Sequence, residues 1–105
     1  MEQEIFNIIS HGGDARGYSY EALKIAREGN IKEAKEMMKK AQEELDLAHN
    51  TQTKLIQSEI NGRPLDMSLL LVHAQDQLMT AIAENSLIEQ MINMCDEINQ
   101  LKRRL

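Results

Sequence analysis

Apolar and polar positions repeat along this chain with the period of a helix. The clearest stretch covers residues 31–61, where Ile31, Ala34, Met38, Ala41, Leu45, Ala48 and Leu55 recur at three- and four-residue steps, interrupted only by Gln52. That spacing places the apolar set on one side of an α-helix, as an a/d seam sustained over several heptads. Lys and Glu crowd the remaining positions, as on a solvated face.

Residues 4–28 carry a weaker version of the pattern. Ile5, Ile8 and Ile9 start an apolar face that Ala15, Ala22, Leu23 and Ala26 continue. Gly12-Gly13 and Gly17 each weaken a helix by about 1 kcal/mol relative to Ala, so propensity predicts a break at Gly12-Gly13. The alternative is one continuous helix whose glycines admit a close neighbour. Gly29-Asn30 closes the segment, with Gly as a helix stop and Asn as the N-cap of the next helix. Asn61-Gly62-Arg63-Pro64 is the strongest turn in the chain, because Pro64, the only proline, disfavours helix at Arg63. Asp66 or Ser68 can then cap a third helix over about 66–103.

That third helix has an unusual pattern. His73, Asp76, Gln77, Thr80 and Glu84 fall on one narrow polar stripe. Leu70, Leu71, Ala74, Leu78, Ala81 and Ile82 wall it on one side, and Val72, Met79 and Ala83 on the other. Further along, the same face turns apolar through Leu87, Met91, Met94, Ile98, Leu101 and Leu105, while Ala81, Ile88, Ile92 and Cys95 form a second apolar side. Three long helices joined by short turns predict an all-α fold, a single domain over residues 1–105 built as an antiparallel up-down-up three-helix bundle. Such a bundle needs one apolar stripe per helix. The surplus on the third helix predicts self-association about a symmetry axis.

Composition agrees with helices and narrows the function. The 105 residues are 42% hydrophobic with no Trp, and Phe6, Tyr18 and Tyr20 are the only aromatics, so Leu, Ile, Met and Ala must build the core. The formal net charge of −5 and the lack of any basic cluster beyond Lys102-Arg103-Arg104 argue against nucleic acid as a partner. Cys95 is the only cysteine, so no intrachain disulfide can form and a reducing cytoplasm is the expected compartment. The acidic start Met1-Glu2-Gln3-Glu4 does not read as a signal peptide, and the run Leu69–Val72 is too short to span a bilayer.

His73 and Asp76 share a helical face, and three chemistries use such a pair. The imidazole can accept a phosphoryl group, both side chains can ligate a metal, or the carboxylate can orient the imidazole as a general base. A histidine hydrogen-bonded inside a helical interface is the plain structural reading. His49, beside the second helix's seam, reads as a partly buried structural histidine, and His11 as a surface residue. Cys95 has no basic neighbour in sequence and reads as a packing residue. The seven methionines read as gap-fillers. No P-loop, GxGxxG, CxxC, HExxH or EF-hand pattern occurs.

Several segments together resemble the enzyme IIA proteins of the lactose/cellobiose (diacetylchitobiose) class of the bacterial sugar phosphotransferase system. They are Gly13-Asp14-Ala15-Arg16, Glu21-Ala22-Leu23-Lys24, Gly29-Asn30-Ile31, Ala48-His49-Asn50-Thr51-Gln52-Thr53-Lys54-Leu55-Ile56, and Leu70-Leu71-Val72-His73-Ala74-Gln75-Asp76 followed by Leu78-Met79-Thr80. The resemblance implies a three-helix bundle that assembles as a homotrimer, a nine-helix cluster packed about the third helices. It implies that His73 takes a phosphoryl group from phospho-HPr and passes it to a cysteine of enzyme IIB, and so to a β-linked disaccharide such as cellobiose, lactose or chitobiose. The membrane transporter component is met only indirectly. Asp76 matches the aspartate that meets its two symmetry mates around a divalent cation, thought to be Mg²⁺, and Gln75 matches a polar residue of the active-site cleft. The chain departs from the family pattern at Gln77, where a second histidine usually stands. With few cations nearby, donors such as Gln75, Thr80 or helix N-terminal amides are expected to receive the phosphoryl charge. Two rival readings are a non-catalytic helical oligomerisation module and a metal-dependent bundle enzyme. The second has too few ligands, with three histidines and no Glu-x-x-His pair.

Overall fold

Helical periodicity decides the architecture. The computed structural model describes all residues, Met1–Leu105, as α1 (Glu2–Arg27), α2 (Ile31–Ile60) and α3 (Leu69–Arg103), with no strand. The three form a rod of 62 × 19 × 19 Å. α1 packs along both partners, and α2 and α3 meet each other over less of their length. No helix is long and apolar enough to cross a membrane.

α1 runs unbroken through Gly12-Gly13, against the break that propensity predicts. Its buried positions include Ile5, Ile8, Gly12, Ala15, Ser19, Ala22 and Ala26, alternating three- and four-residue steps. Gly12 is therefore a seam position, and packing against α3 outweighs its propensity cost of about 1 kcal/mol. A Cβ at Gly12 would lie 3.9 Å from the Cα of Leu78, which is ordinary contact, while Gly13 and Gly17 face open space. Only the first of the three glycines thus sits at a close helix approach.

Both helix junctions use the same backbone device. Gly29 (φ +100°) and Gly62 (φ +83°) occupy left-handed conformations just past α1 and α2. The N–H of Asn30 donates to Ile25 O at 3.2 Å and that of Arg63 to Ser58 O at 3.0 Å, each closing the helix end over its glycine. The Asn30 side chain then caps α2 by accepting from Glu33 N at 3.2 Å. Ser68 caps α3 by accepting from Leu71 N at 3.1 Å. α3 starts at Leu69, later than the expected residue 66, because Ser68 supplies the cap and Asp66 stays in the connecting segment.

The core divides into two clusters along the rod. One joins Ile5, Ile8, Leu45, Leu55, Leu71 and Leu78, and the other joins Ile25, Ala34, Ile88 and Ile92. Cys95 packs against the second cluster, as its sequence context predicts. The α2 seam holds throughout, and Gln52, its one polar member, is buried at 8% exposure. The Gln52 amide donates to Gln75 Oε1 on α3, which satisfies that buried polar group.

Candidate functional site

The polar stripe of α3 lies on the outer surface of the rod. His73, Asp76 and Thr80 are exposed, Gln77 and Glu84 are half-buried, and Leu71, Ala74, Leu78 and Ala81 are buried beneath them. α3 is thus rotated so that one wall of the stripe meets the core, while the other wall, Val72, Met79 and Ala83, faces outward. The outward face continues through Leu87, Met91, Met94, Ile98 and Leu101, which are 43–59% exposed. A run of large apolar side chains along one free helix face resembles a subunit contact more than a solvent surface.

His73 and Asp76 share that face, yet they make no hydrogen bond to one another or to any other side chain of this protein. The general-base pairing is therefore not formed within one chain, and the imidazole stands free and exposed. Thr80 donates its hydroxyl to the Asp76 carbonyl at 2.8 Å, so it is not the free donor expected for a phosphoryl group. Gln75 is half-buried and turned towards α2, where its carbonyl accepts from Gln52. Two residues along a helix is about 200° of rotation, so Gln75 and His73 of one chain point to nearly opposite sides. Its observed contact fixes the rotation of α3.

A cation that sequence spacing does not place beside the stripe comes from α1. Arg16 Nε donates to Glu84 Oε2 at 3.2 Å, and its Nη2 lies 2.9 Å from Glu84 Oε1, a two-pronged ion pair. Its Nη1 donates to Gln77 Oε1 at 3.5 Å, a long contact. The Tyr20 hydroxyl lies beside Glu84, and a hydrogen bond to that carboxylate holds the phenol above its ordinary range. One residue on, Asn85 donates to Ser19 Oγ at 3.0 Å inside the core. The sequence clue to this network was the Gly13-Asp14-Ala15-Arg16 segment, which the resemblance matches without assigning a role.

The other histidines differ from their sequence readings. His49 is exposed, because it falls one position beyond the seam residue Ala48. His11 is half-buried, with its Nδ1 2.5 Å from Glu44 Oε2 across the α1–α2 contact. Asp14 adds a third metal-ligating side chain within 4.8 Å of that pair. His11 and Glu44 already satisfy each other, so the group reads as an interhelical link. Thr51 makes another such link, donating to Asn7 Oδ1 at 2.6 Å. A groove lies between α2 and α3, lined by Lys35, Met38, Gln42, Asn85 and Glu89, and it excludes His73, Asp76 and Gln77.

Known proteins match this sequence and shape closely. The family model "PTS system, Lactose/Cellobiose specific IIA subunit" matches residues 3–96. The lichenan-specific phosphotransferase enzyme IIA component of Bacillus subtilis (strain 168) is 43% identical over 100 residues, covering 95% of this chain and 91% of the relative. The crystal structure of the cellobiose-specific enzyme IIA of Bacillus anthracis superposes with a TM-score of 0.92 at 42% identity, covering 94% of this chain and 91% of the other. The IIA(Chitobiose) protein of Escherichia coli, solved in complex with HPr, gives a TM-score of 0.81 at 37% identity, covering 92% and 94%. Family model, relatives and fold agree along nearly the whole length, and the chain belongs to the lactose/cellobiose-specific IIA subunits of the phosphotransferase system.

Proposed function

We propose that this protein is a phosphocarrier in which His73 accepts a phosphoryl group from phospho-HPr and delivers it to a cysteine of enzyme IIB during uptake of a β-linked disaccharide. The observation that carries this reading is the free imidazole of His73, exposed on the outer face of α3 and lining none of the main grooves of the chain. A small sugar is normally bound in a concave pocket. A group held on an exposed helix face suits exchange with another protein. The relative solved in complex with HPr supports the donor.

The lone pair of a neutral His73 nitrogen attacks phosphorus. The bond from phosphorus to the donor's leaving group breaks as the new P–N bond forms, and that group keeps the bonding pair. In the second transfer the P–N bond breaks, the imidazole keeps its pair, and the thiolate of the acceptor cysteine forms a P–S bond. Such transfers depend mostly on positioning and charge neutralisation. Gln75, through Gln52, fixes the rotation of α3 that keeps His73 outward. Gln77, where the family usually has a second histidine, leaves His73 as the only imidazole on this face.

The working unit in this reading is a homotrimer packed about the outward face of α3. Asp76 is exposed and unpaired on that face, and three copies would offer only oxygen ligands. That donor set fits a hard divalent cation such as Mg²⁺. Such a cation would offset two of the three negative charges and relieve most of the repulsion among the carboxylates.

Incubation with phosphoenolpyruvate, enzyme I and HPr should add one acid-labile phosphate per chain. His73→Ala should add none, and label on that variant would overturn the assignment.

A further inference from the structure

The phosphocarrier reading puts a multiply charged anion on a chain whose net charge is already −5. α3 supplies no cation near His73, since its only basic residues besides that histidine, Lys102 and Arg103, lie in its last turn. Between Pro64 and Lys102 the sequence contains no Lys or Arg, and His73 is the only basic side chain there. A stabilising charge from within this chain must therefore come from another helix, and α1 brings Arg16 to the His73 stripe.

The fork of Arg16 is held at three points. Nε and Nη2 engage the two oxygens of Glu84 at 3.2 and 2.9 Å, and Nη1 meets Gln77 Oε1 at 3.5 Å. Glu84 is only 19% exposed and Arg16 35%, so the pair is partly withdrawn from water. A guanidinium has five N–H donors. Three contacts leave two of them, both on the terminal nitrogens; the Tyr20 hydroxyl also lies against Arg16, so at least one N–H stays available without releasing Glu84. Gln77 is four residues after His73, and side chains at that spacing are neighbours with Cβ atoms about 5–6 Å apart. Because Gln77 accepts from Arg16 through its carbonyl, its amide N–H groups remain as further donors. Planar guanidinium groups match phosphoryl oxygens better than an ammonium does.

We propose that Arg16, held by Glu84 and linked through Gln77 to the turn that carries His73, is the positive group that stabilises the phosphorylated histidine. The proposal rests on the phosphocarrier reading. It gives Gln77 a function of its own, as an acceptor that anchors Arg16 and a donor that faces the phosphoryl group. Glu84 acts at one remove, by keeping the guanidinium extended along α3.

The test compares the wild-type chain with Arg16→Gln, Arg16→Lys and His73→Ala in transfer from phospho-HPr. Arg16→Gln should slow phosphorylation at least tenfold with helicity and oligomeric state unchanged, and Arg16→Lys should recover part of the rate. Unlabelled His73→Ala beside an Arg16→Gln variant as fast as wild type would overturn this proposal alone. Labelled His73→Ala would overturn the phosphocarrier reading beneath it. A second readout separates charge from structure. Each variant is phosphorylated chemically with phosphoramidate and followed by ³¹P NMR against pH. A guanidinium near the phosphoryl group lowers its last ionisation, so the midpoint should rise in Arg16→Gln. A midpoint identical in wild type, Arg16→Gln and Arg16→Lys would refute the contact even if the glutamine variant folds poorly.

Discussion

Leu87→Ala tests the assembly and leaves the single chain nearly untouched. Leu87 lies on the outward face of α3 at 59% exposure, so most of its side chain contributes nothing to the core of one chain. Fully burying a leucine is worth about 1.5–3 kcal/mol. The exposed fraction therefore carries about 1–2 kcal/mol per copy that only a neighbouring subunit can supply. A trimer repeats the loss three times, so truncation should weaken it by about 2–4 kcal/mol after allowing for the retained β-carbon. At 1.4 kcal/mol per factor of ten, the trimer dissociation constant rises roughly thirty- to several-hundred-fold. Sedimentation over a dilution series reads that shift directly, and far-UV circular dichroism of the same samples reports the helices. Dilution behaviour identical to wild type would refute the assignment of this face to the trimer. Loss of helicity at high concentration would refute the premise that Leu87 is outside the chain's own core.

Three other changes probe separate links. Gly13→Ala should raise stability by about 0.5–1 kcal/mol, since the site is mid-helix and faces open space, and a higher thermal midpoint would show it. Ser19→Ala should cost about 1–3 kcal/mol by leaving the Asn85 amide buried without its acceptor, as urea titration would measure. Chelation of divalent cations should loosen the wild-type trimer and leave an Asp76→Asn trimer unaffected, because only the carboxylates repel; a wild-type trimer indifferent to chelator would remove the cation from the axis.

The sequence made the elements legible to different degrees for physical reasons. α2 reads cleanly because its seam residues are apolar at nearly every heptad position, and even Gln52, the apparent flaw, keeps its place by pairing with Gln75. α1 misleads because two of its seam positions, Gly12 and Ser19, are a residue of low propensity and a polar one. Periodicity predicts continuity there while propensity predicts a break, and packing against Leu78 and Asn85 decides for periodicity. The stripe of α3 is visible from spacing alone. Its partner Arg16 is not, because that contact joins residues 68 positions apart and depends on the rotational setting of two helices. The same dependence hid the His11–Glu44 link, in which a histidine with no notable sequence neighbours meets a carboxylate of another helix.

Rotational setting is also what turns the pattern of α3 into a site. The polar side chains of its first half face two ways. Gln75, Gln77, Glu84 and Asn85 are tied to α1 or α2, whereas the side chains of His73 and Asp76 are tied to nothing in the chain. Turning α3 by one residue, about 100°, so that His73 takes the place of Ala74 would break the Ser19–Asn85 bond inside the core and carry the Gln77 amide into the position of Leu78. Each tie therefore opposes the rotation that would bury His73. Buried polar groups often fix a register more than they add stability. Here the fixed register presents an unpaired imidazole and an unpaired carboxylate at one end of an apolar face. In the proposed trimer a second and third copy would bury the apolar part, with Asp76 at their axis and His73 left beside it for a protein partner.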